Sequence, residues 1–409
     1  MLAPMMESNV KLLDWEAIYA ARVQCMSSSI IRELLKLTMQ PDIISFAGGL
    51  PAPEMFPVRE FEEACAYVLH HEGAQALQYG PSEGYGPLRE YLVERMRKYG
   101  VPAEVDNILI TNGSQQALDL IGRIFVDSTV VVCTERPTYL GALQAWNAYE
   151  ANYCTVPLDD DGMVVDELEA AIQQHHPKFI YVLPNFHNPA GVSLSEERRH
   201  RLAEVVLKHD LFIVEDDPYG ELRFEGQDLT PVVTLAKERT LYVGTFSKTL
   251  APGIRLGWVT APQKVISKLV QAKQGADLHT STFVQVVAND ICQRGFLRQH
   301  VKHIRATYKE RRDTMLDAMA EFFPEEVRWF RPQGGLFLWA KTPPKVDTVD
   351  LFKVAVAEKV AYVPGDPFYP GGDAEARRHM RLNFSFCKPE VIVEGIRRLG
   401  AALKKAIAA

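Results

Sequence analysis

The chain has 409 residues, of which 47% are hydrophobic and 24% are charged, and this composition excludes a disordered or low-complexity protein. Its 45 Lys and Arg residues against 52 Asp and Glu residues give a net charge of −7, which argues against nucleic acid or an anionic membrane as a partner. No apolar run reaches the roughly 18 residues of a membrane span, and the N-terminus lacks the pattern of a signal peptide. We therefore expect a cytoplasmic protein, and its length allows about two to three domains.

Six cysteines are scattered along the chain without a C-x-x-C pair. This distribution favours reduced thiols over a disulfide set or a zinc site. The cysteines are Cys25, Cys65, Cys133, Cys154, Cys292 and Cys387.

Changes of pattern divide the chain into three parts. Residues 1–55 are predicted to form an N-terminal arm together with part of a small domain. Residues 56–295 alternate short apolar runs with helical patterns, which is typical of a large α/β domain. Residues 296–409 are predicted to begin with a long linking helix around 297–320 and to continue as a small α+β domain.

Three short β-branched and aromatic runs in the large domain each end abruptly in polar residues. They cover residues 178–183, 211–214 and 241–244, and their starts are roughly 30 residues apart, which is the length of a βαβ unit. Between the first two runs, Ser193 and Glu196 have the spacing of a capping box ahead of a helical pattern. The pattern predicts parallel strands joined by helices.

Polar residues that follow these runs are expected at one edge of the sheet. In α/β sheets ligands bind beyond the carboxyl ends of the strands, so residues far apart in sequence can meet there. The residues delivered to that edge are Asn188, Asp216, Tyr219, Ser247 and Lys248.

The C-terminal part contains two further strand patterns and a helix pattern. Residues 334–339 are typical of a strand, and residues 380–386 alternate apolar with polar side chains. That alternation predicts a half-buried strand with Arg381 on its polar face, although an exposed salt-bridge arginine is the ordinary alternative. Apolar residues at helical spacing over 391–403 predict a closing amphipathic helix.

Lys248 is the candidate nucleophile. A lysine just beyond a buried strand can be partly desolvated, which lowers its pKa and suits it to Schiff-base chemistry, whereas a solvated lysine is the ordinary alternative. Seven residues on, Arg255 offers a fork for a phosphate, and Thr245 and Ser247 add hydroxyl donors.

Asp216 lies in an acidic triplet at the end of its strand, where metal ligands and solvated turns are common. No histidine stands at metal-ligand spacing nearby, which weakens the metal interpretation. A carboxylate facing a lysine Schiff base can instead hold a pyridine nitrogen protonated, so that the ring accepts electrons. Tyr219 could donate to the phenolic oxygen of the same ring, or simply pack in a turn.

A further anion site is predicted at residues 112–118, which follow a strand-like run and open a helix. Backbone N–H groups at a helix N-terminus and the Ser114 hydroxyl can bind an anion, although Ser114 could equally be an N-cap with no ligand. Neither a P-loop nor a G-x-G-x-x-G sequence after a strand occurs, so nucleotide-binding alternatives lack their fingerprints.

These residues belong to motifs that occur in one order and spacing between positions 188 and 381, within a similarity that runs over nearly the whole chain, from about residue 14 to 405. The motifs are Asn188-Pro-Ala-Gly191, Asp216-Asp-Pro-Tyr219, Ser247-Lys248, Arg255 and Arg381. Together they resemble the fold-type I pyridoxal-phosphate (PLP) aminotransferases. Further markers make the chain similar to bacterial α-aminoadipate aminotransferases and their kynurenine and aromatic relatives. Those markers are Arg22-Val-Gln, Ile31–Thr38, Phe46–Glu54, Gln78-Tyr79 and Gln274–Thr280.

The resemblance implies an α/β fold of the fold-type I class. Its large, PLP-binding domain would have a mostly parallel seven-stranded sheet between helices, and its small domain would be α+β. The implied activity is a ping-pong transamination between an L-amino acid and 2-oxoglutarate. The amino acid would be 2-aminoadipate, glutamate, an aromatic or a branched-chain amino acid.

The resemblance also implies roles for the residues of the cofactor site. Lys248 would form the Schiff base with PLP, and Asp216 would pair with the pyridinium nitrogen. Asn188 and Tyr219 would hydrogen-bond the ring oxygen, while Tyr139 would stack on the ring face. The phosphate would be held by Ser114, Gln115, Thr245, Ser247 and Arg255.

Substrate contacts and the partner subunit are implied in the same way. Arg381 would bind the substrate α-carboxylate, assisted by Asn188, and Gly49 would also contact the substrate. Arg22 would pair with a distal carboxylate, and its ordinary alternative is a helix-surface arginine. Tyr79 would reach the phosphate of a neighbouring subunit, which makes the expected homodimer part of the active site. No metal is expected.

Two alternatives stay open on the sequence. The first is a PLP-dependent lyase or aldolase on the same fold, since the same electron sink serves other bond cleavages. The second is a non-catalytic effector-binding domain of a transcription regulator. The 47 residues before Gly48-Gly49 are few for a DNA-binding domain plus linker. His187, just before the Asn-Pro-Ala-Gly segment, is expected at the surface or behind the ligand-contacting residues.

Overall fold

The computed structural model describes residues 13–26 and 42–408, so the Ile31–Thr38 marker lies outside the described residues. The strands are β1 (Ile44–Ser45), β2 (Ile108–Thr111), β3 (Val131–Arg136), β4 (Asn152–Asp159), β5 (Gly162–Met163), β6 (Phe179–Val182), β7 (Phe212–Asp216), β8 (Thr240–Thr245), β9 (Gly257–Thr260), β10 (Arg328–Trp329), β11 (Phe337–Lys341), β12 (Val360–Ala361), β13 (Val363–Pro364) and β14 (His379–Asn383).

Helices cover both faces of the large sheet and continue into the C-terminal part. The α-helices are α1 (Val58–His71), α2 (Gly73–Ala76), α3 (Gly86–Lys98), α4 (Gly113–Phe125), α5 (Leu140–Asn147), α6 (Val165–His175), α7 (Glu196–Lys208), α8 (Val232–Leu235), α9 (Gln263–Gln274), α10 (Thr282–Gln293), α11 (Phe296–Phe322), α12 (Thr348–Ala357) and α13 (Pro389–Ala408). Among the described residues no helix is long and apolar enough to cross a membrane.

The large sheet has the strand order β2-β9-β8-β7-β6-β3-β4-β5. The run from β8 to β4 is parallel, whereas β9 is antiparallel to both of its neighbours. The predicted runs are β6, β7 and β8, which lie side by side as expected. The α/β fold class is therefore confirmed, and beyond the expected seven strands the sheet carries the two-residue edge strand β5.

Continuous apolar sequence explains why the central strands are buried on both faces. All four residues of β6 and all six of β8 are buried, as expected for a parallel sheet between helix layers. Helix α4 packs its apolar face, including Leu118 and Ile121, into the same core. This packing fixes the carboxyl ends of β6, β7 and β8 at one rigid edge.

The capping box predicted before α7 is wrong. Helix α7 begins at Glu196, and Ser193 lies outside it and accepts a hydrogen bond from the Phe186 N–H (3.1 Å). The Glu196 carboxylate accepts from the Thr230 N–H (2.9 Å). Both side chains are engaged by distant backbone groups, which the local spacing does not reveal.

A second sheet of four strands, in the order β10-β11-β14-β13, forms in the C-terminal part. Strand β14 matches the alternating pattern at 380–386, but its polar face is buried, with Arg381 only 2% exposed. The expectation of a half-buried strand is therefore corrected: the polar face lines the interior, because Phe337 and Phe368 cover Arg381.

The segment around β1 joins this C-terminal part. Strand β1 pairs in parallel with β12, and the fully buried ring of Phe46 lies against Gly395 of helix α13. The linking helix α11 spans 27 residues and packs on α13. The six cysteines are free thiols.

Candidate active site

A cavity of about 380 Å³ lies at the carboxyl ends of β6, β7 and β8. The five side chains that the strand pattern delivers to this edge, at positions 188, 216, 219, 247 and 248, all line it. Other lining residues are Gly49, Ser114, Gln115, Tyr139, Leu140, Gln144, Thr245, Arg255 and Arg381.

Lys248 projects into the cavity from the loop after β8. Its Nζ donates to the carbonyl oxygen of Gly49 (2.8 Å). Burial, followed by the charges of Arg381 and Arg255, lowers the pKa of Lys248 from 10.5 to about 8. The amine is therefore still mostly protonated at pH 7, but about a tenth of it is neutral, far more than for a solvated lysine, and the neutral form is the nucleophile that attacks a carbonyl carbon.

Asp216 ends β7 as a buried carboxyl group with one free oxygen. Its Oδ2 accepts from the Tyr181 hydroxyl (2.8 Å), whereas Oδ1 has no hydrogen-bond partner among the described residues. Burial raises the pKa of Asp216 to about 7, and the Tyr181 hydrogen bond opposes that rise. A buried carboxylate oxygen without a donor suits a cationic ring N–H placed in the cavity.

Asn188, Tyr219 and Arg381 form a connected polar wall. The Asn188 Nδ2 donates to the Tyr219 hydroxyl (3.4 Å), and the Arg381 Nη1 donates to the Asn188 Oδ1 (2.8 Å). The Arg381 Nη2 donates to the Ala47 carbonyl oxygen (2.8 Å). One wall of the cavity thus joins the loop after β6, the turn after β7, strand β14 and the segment after β1.

Two aromatic rings hold the Arg381 guanidinium. Its carbon lies 4.4 Å from the Phe337 ring centre and 5.2 Å from that of Phe368. Burial lowers the pKa of Arg381 to about 10, which still leaves it cationic at neutral pH. A desolvated guanidinium at a cavity wall is suited to bind a carboxylate.

The start of α4 and Arg255 form an anion cradle. Gly113 has φ +73°, and a Cβ there would lie 2.5 Å from the Arg255 Nη2, so the guanidinium can approach only glycine. A Cβ at Gly257 would lie 2.6 Å from the Ser114 nitrogen. The Thr245 and Ser247 hydroxyls are hydrogen-bonded to each other (2.9 Å). Hydroxyls, helix N–H groups and a guanidinium together fit a phosphate.

Tyr139 lines the cavity, whereas Tyr79 and Arg22 do not. The Tyr79 side chain is 79% exposed and touches His279 edge-on, with the ring centres 5.7 Å apart. Arg22 is exposed in a short 3₁₀ helix near Tyr149. Burial and Asp119 raise the pKa of Tyr149 to about 12, and the charge of Arg22 is among those that oppose this rise. The roles predicted for Tyr79 and Arg22 stay predictions.

A buried network beneath the anion cradle was missed in the sequence. Lys273, fully buried, donates to Asp277 (2.8 Å) and to Gln116 (2.8 Å). The same Asp277 carboxylate accepts from Asn112 (2.6 Å) and Gln116 (2.7 Å). The Lys273–Asp277 spacing of four residues was a local signal, but Asn112 and Gln116 are more than 150 positions away.

His187 also differs from one of its two expected placements. It is 1% exposed rather than on the surface, and its Nε2 lies 3.2 Å from the Glu135 carboxylate. Glu135 in turn accepts from the Leu183 N–H (2.9 Å). The pair lies behind Asn188, which is the second of the two expected placements.

The chain matches a family model described as aminotransferase class I and II over residues 44–399. This chain belongs to the class I and II aminotransferases. Aromatic-amino-acid aminotransferase 1 of Thermococcus litoralis is 48% identical over 400 residues, which are 96% of this chain and 95% of that protein.

Solved structures of other aminotransferases superpose closely. The kynurenine aminotransferase of Pyrococcus horikoshii, in complex with PMP, KYN and KYA, has a TM-score of 0.92 at 44% identity, covering 97% of this chain and 99% of that one. LysN, the α-aminoadipate aminotransferase of Thermus thermophilus, was solved with N-(5'-phosphopyridoxyl)-L-leucine. It has a TM-score of 0.90 at 41% identity, covering 97% and 100% of the two chains.

The aminotransferase is a PLP-dependent transaminase, and these similarities support transamination over a lyase or a non-catalytic effector-binding domain. Its cavity fits the cofactor. The unpartnered Asp216 Oδ1 can accept a hydrogen bond from a protonated ring nitrogen, and the cradle of Gly113 and Arg255 can hold a phosphate. Within residues 13–26 and 42–408 no cluster of three or more His, Cys, Asp or Glu side chains is arranged to hold a metal ion.

Proposed function

We propose that Lys248 is the catalytic amine, that Asp216 pairs with the pyridinium nitrogen of PLP and that Arg381 binds the substrate α-carboxylate. The observation that carries this assignment is the single cavity in which the desolvated Lys248 amine, the unpartnered Asp216 Oδ1 and the Arg381 guanidinium meet. These are the groups that proton transfer, ring protonation and carboxylate binding need.

PLP supplies an electron sink that stabilises negative charge at the substrate Cα. Lys248, whose pKa of about 8 lies near neutral pH, would take the Cα proton as general base and deliver it as general acid to C4′ of the cofactor. The ring-held Arg381 fixes the substrate carboxylate and so orients the Cα–H bond toward Lys248. The wall of Asn188 and Tyr219 keeps that arginine aligned.

The remaining cofactor contacts follow from the lining of the cavity. We assign the ring oxygen to Asn188 and Tyr219 and the ring face to Tyr139. We assign the phosphate to Ser114, Gln115, Thr245, Ser247 and Arg255. The mutual hydrogen bond of Thr245 and Ser247 supports this, since it keeps two hydroxyl oxygens 2.9 Å apart in the lining of the cavity.

For the substrate we propose aromatic amino acids as preferred donors, with 2-aminoadipate, glutamate and leucine also accepted and 2-oxoglutarate as acceptor. The 48% identity to an aromatic-amino-acid aminotransferase supports this order. A cavity of about 430 Å³ adjoins the active site through Leu140 and Gln144, and Tyr153 and Tyr369 line it. Its only charged lining residue among those described is Asp366. A cavity with this lining suits an aromatic side chain better than a second carboxylate, which Asp366 would repel.

The experiment is a single-turnover absorbance measurement on the purified PLP-loaded enzyme. Phenylalanine, kynurenine, 2-aminoadipate, glutamate and leucine are added separately, and the yellow absorbance of the bound cofactor is followed. We expect phenylalanine and kynurenine to bleach it fastest and 2-oxoglutarate to restore it. Bleaching without restoration would contradict transamination, and faster bleaching by 2-aminoadipate would reverse the substrate order.

The same series on Arg22→Ala tests the role proposed for that arginine, which is selectivity for a distal carboxylate. We expect the variant to lose rate on 2-aminoadipate and glutamate and to keep its rate on phenylalanine, because only the first two carry a second carboxylate. Equal losses on all substrates would remove Arg22 from selectivity.

We further propose a homodimer in which Tyr79 reaches the cofactor phosphate of the neighbouring subunit. The 79% exposure of this aromatic side chain, outside the cavity of its own chain, supports the idea of a contact across an interface. The neighbouring His279, which meets Tyr79 edge-on, belongs to the Gln274–Thr280 marker and would lie at the same interface.

Mixing two defective variants tests this arrangement. In a dimer of Lys248→Ala with Tyr79→Ala, one site combines an intact Lys248 with the intact Tyr79 of the other subunit. Random mixing should therefore restore about a quarter of the wild-type activity if Tyr79 acts across the interface. No recovery above the activity of the separate variants would show that Tyr79 acts within its own subunit or not at all.

We propose the same division of the chain as before: residues 1–55 as arm and part of the small domain, 56–295 as the large domain and 296–409 as linking helix and small domain. The pairing of β1 with β12 supports assigning the end of the first segment to the small domain. The free thiols support a cytoplasmic location.

A further inference from the structure

A further cavity, of about 440 Å³, lies between helices α3 and α11. None of its lining residues lines the active-site cavity. Helix α3 and its C-terminal end contribute Tyr91, Arg95, Lys98 and Tyr99, and helix α11 contributes Leu297, Arg298, Val301, Lys302 and Arg305, with Glu221 completing the lining. We call it the α3–α11 cavity.

The α3–α11 cavity is strongly cationic although the whole chain carries a charge of −7. Five of its ten lining residues are Lys or Arg, and Glu221 is the only acidic one. In the part of the chain that the structure describes, Lys98, Arg298, Lys302 and Arg305 form no ion pair with a carboxylate. Positive charges gathered in a concave site raise the local concentration of small anions.

Arg95 gives the cavity a built donor. It is only 5% exposed, and its Nε donates to the Glu221 Oε1 (2.9 Å). Its Nη2 contacts the same carboxylate and also the Thr249 hydroxyl (3.2 Å). Its Nη1 is buried and has no hydrogen-bond partner among the described residues. Buried guanidinium nitrogens normally have acceptors, so this nitrogen indicates a missing one.

Glu221 alone cannot neutralise the five cationic side chains that line the cavity. One of its oxygens accepts from Arg95 and the other accepts from the Tyr99 hydroxyl (2.9 Å). The exposed cations Lys98, Arg298 and Lys302 are left to be neutralised from solution. We propose that the α3–α11 cavity binds a small anion with two or more negative charges, of the phosphorylated or polycarboxylate class.

Arg95 also links this cavity to the catalytic groups. Thr249, which it contacts, directly follows Lys248 in sequence, and Glu221 lies two residues after Tyr219 in the turn Gly220–Leu222. An anion in the cavity would therefore add its charge next to a side chain that contacts the Thr249 hydroxyl and the Glu221 carboxylate, close in sequence to Lys248 and Tyr219. The proposal goes beyond the proposed transamination and does not depend on its substrates.

The test is isothermal titration calorimetry on the PLP-loaded enzyme at low ionic strength, with pyrophosphate and citrate titrated separately. The variant is Arg298→Gln/Lys302→Gln, which removes two exposed cations four residues apart on α11. The matched control is Lys264→Gln/Lys268→Gln, which removes two exposed cations at the same spacing on α9, away from the cavity. Both double variants change the net charge equally.

We expect at least one anion to bind the wild type and the control with equal Kd, and the α11 variant to bind it at least tenfold more weakly. Preference for pyrophosphate or for citrate then identifies the phosphorylated or the polycarboxylate class. Equal binding by all three proteins would place the anion elsewhere, for example at Arg381 in the active site, and would overturn the proposal. Absence of binding to the wild type below millimolar concentration would also overturn it.

Discussion

At the scale of single residues, the Lys248 amine is the group whose burial has the clearest energetic consequence. The folded chain lowers its pKa from 10.5 to about 8, through burial and then the charges of Arg381 and Arg255. Below pH 8 the amine is protonated in both the folded and the unfolded chain, so the folded state carries the full cost of a buried cation. Between pH 8 and about 10.5 only the unfolded chain keeps the proton, and stability rises with pH.

We therefore expect Lys248→Met to stabilise the cofactor-free protein below pH 8, by on the order of 3 kcal/mol. The advantage over the wild type should shrink steadily between pH 8 and about 10.5, because the wild-type amine is then neutral when folded. Urea unfolding of both cofactor-free proteins at several pH values measures it. Lys268→Met, at an exposed site, is the control, and a Lys248→Met advantage independent of pH would contradict the assigned cause.

At the scale of secondary-structure elements, the start of α4 is held from below by the end of α9. Lys273 and Asp277 connect these two elements through Gln116 and Asn112, directly beneath the residues assigned to the phosphate. A change in this network should therefore reach the cofactor although none of its four side chains lines the cavity.

Lys273→Met should lower the free energy of unfolding by about 3 kcal/mol, because it leaves the Asp277 carboxylate without its cation. It should also weaken PLP retention by displacing the start of α4. Urea unfolding and PLP release on dilution, followed by absorbance, measure the two effects. Lys268→Met on the same helix is the matched control, and retention equal to the wild type would separate the network from the cradle.

The same elements show how far sequence patterns reach. The three parallel strands β6, β7 and β8 were predictable because each is a compact run of β-branched and aromatic residues that ends in polar ones. The carboxyl ends of parallel strands meet at one edge, so the arrival of Asp216 and Lys248 in one cavity followed from the same pattern.

What escaped prediction depends on which strands and loops become neighbours. Tyr181 is the only hydrogen-bond partner of the Asp216 carboxyl group among the described residues, but this contact follows from the register of β6 against β7. The capping spacing of Ser193 and Glu196 failed because Phe186 and Thr230 engage the two side chains first. Long-range register and competition between partners are not written in local spacing.

At the scale of the whole molecule, the segment around β1 ties the beginning of the described core to its end. The Phe46 ring is fully buried and meets Gly395, and a Cβ at Gly395 would lie only 2.5 Å from the ring. The Phe46 backbone accepts from the Asn383 N–H (2.9 Å), and the next carbonyl, of Ala47, accepts from Arg381. Packing of this segment and alignment of the substrate arginine are therefore coupled.

We expect Phe46→Ala to lower the free energy of unfolding by about 3–5 kcal/mol, since the glycine opposite offers no side chain to fill the cavity. It should also raise KM for the amino acid more than it lowers kcat, because Arg381 loses a firm anchor. Urea unfolding and steady-state kinetics measure both. Phe386→Ala, at a ring that is 38% exposed, is the control, and equal losses in the two variants would refute the coupling.

The two rings that enclose Arg381 affect at which stage its side chain loses conformational entropy. A free arginine loses about 2 kcal/mol of rotamer entropy when it is fixed on a ligand. Here Phe337, Phe368, Asn188 and Ala47 fix it as the chain folds. The entropy is therefore lost on folding and not at each binding event, and every substrate carboxylate binds a guanidinium that is already fixed in place.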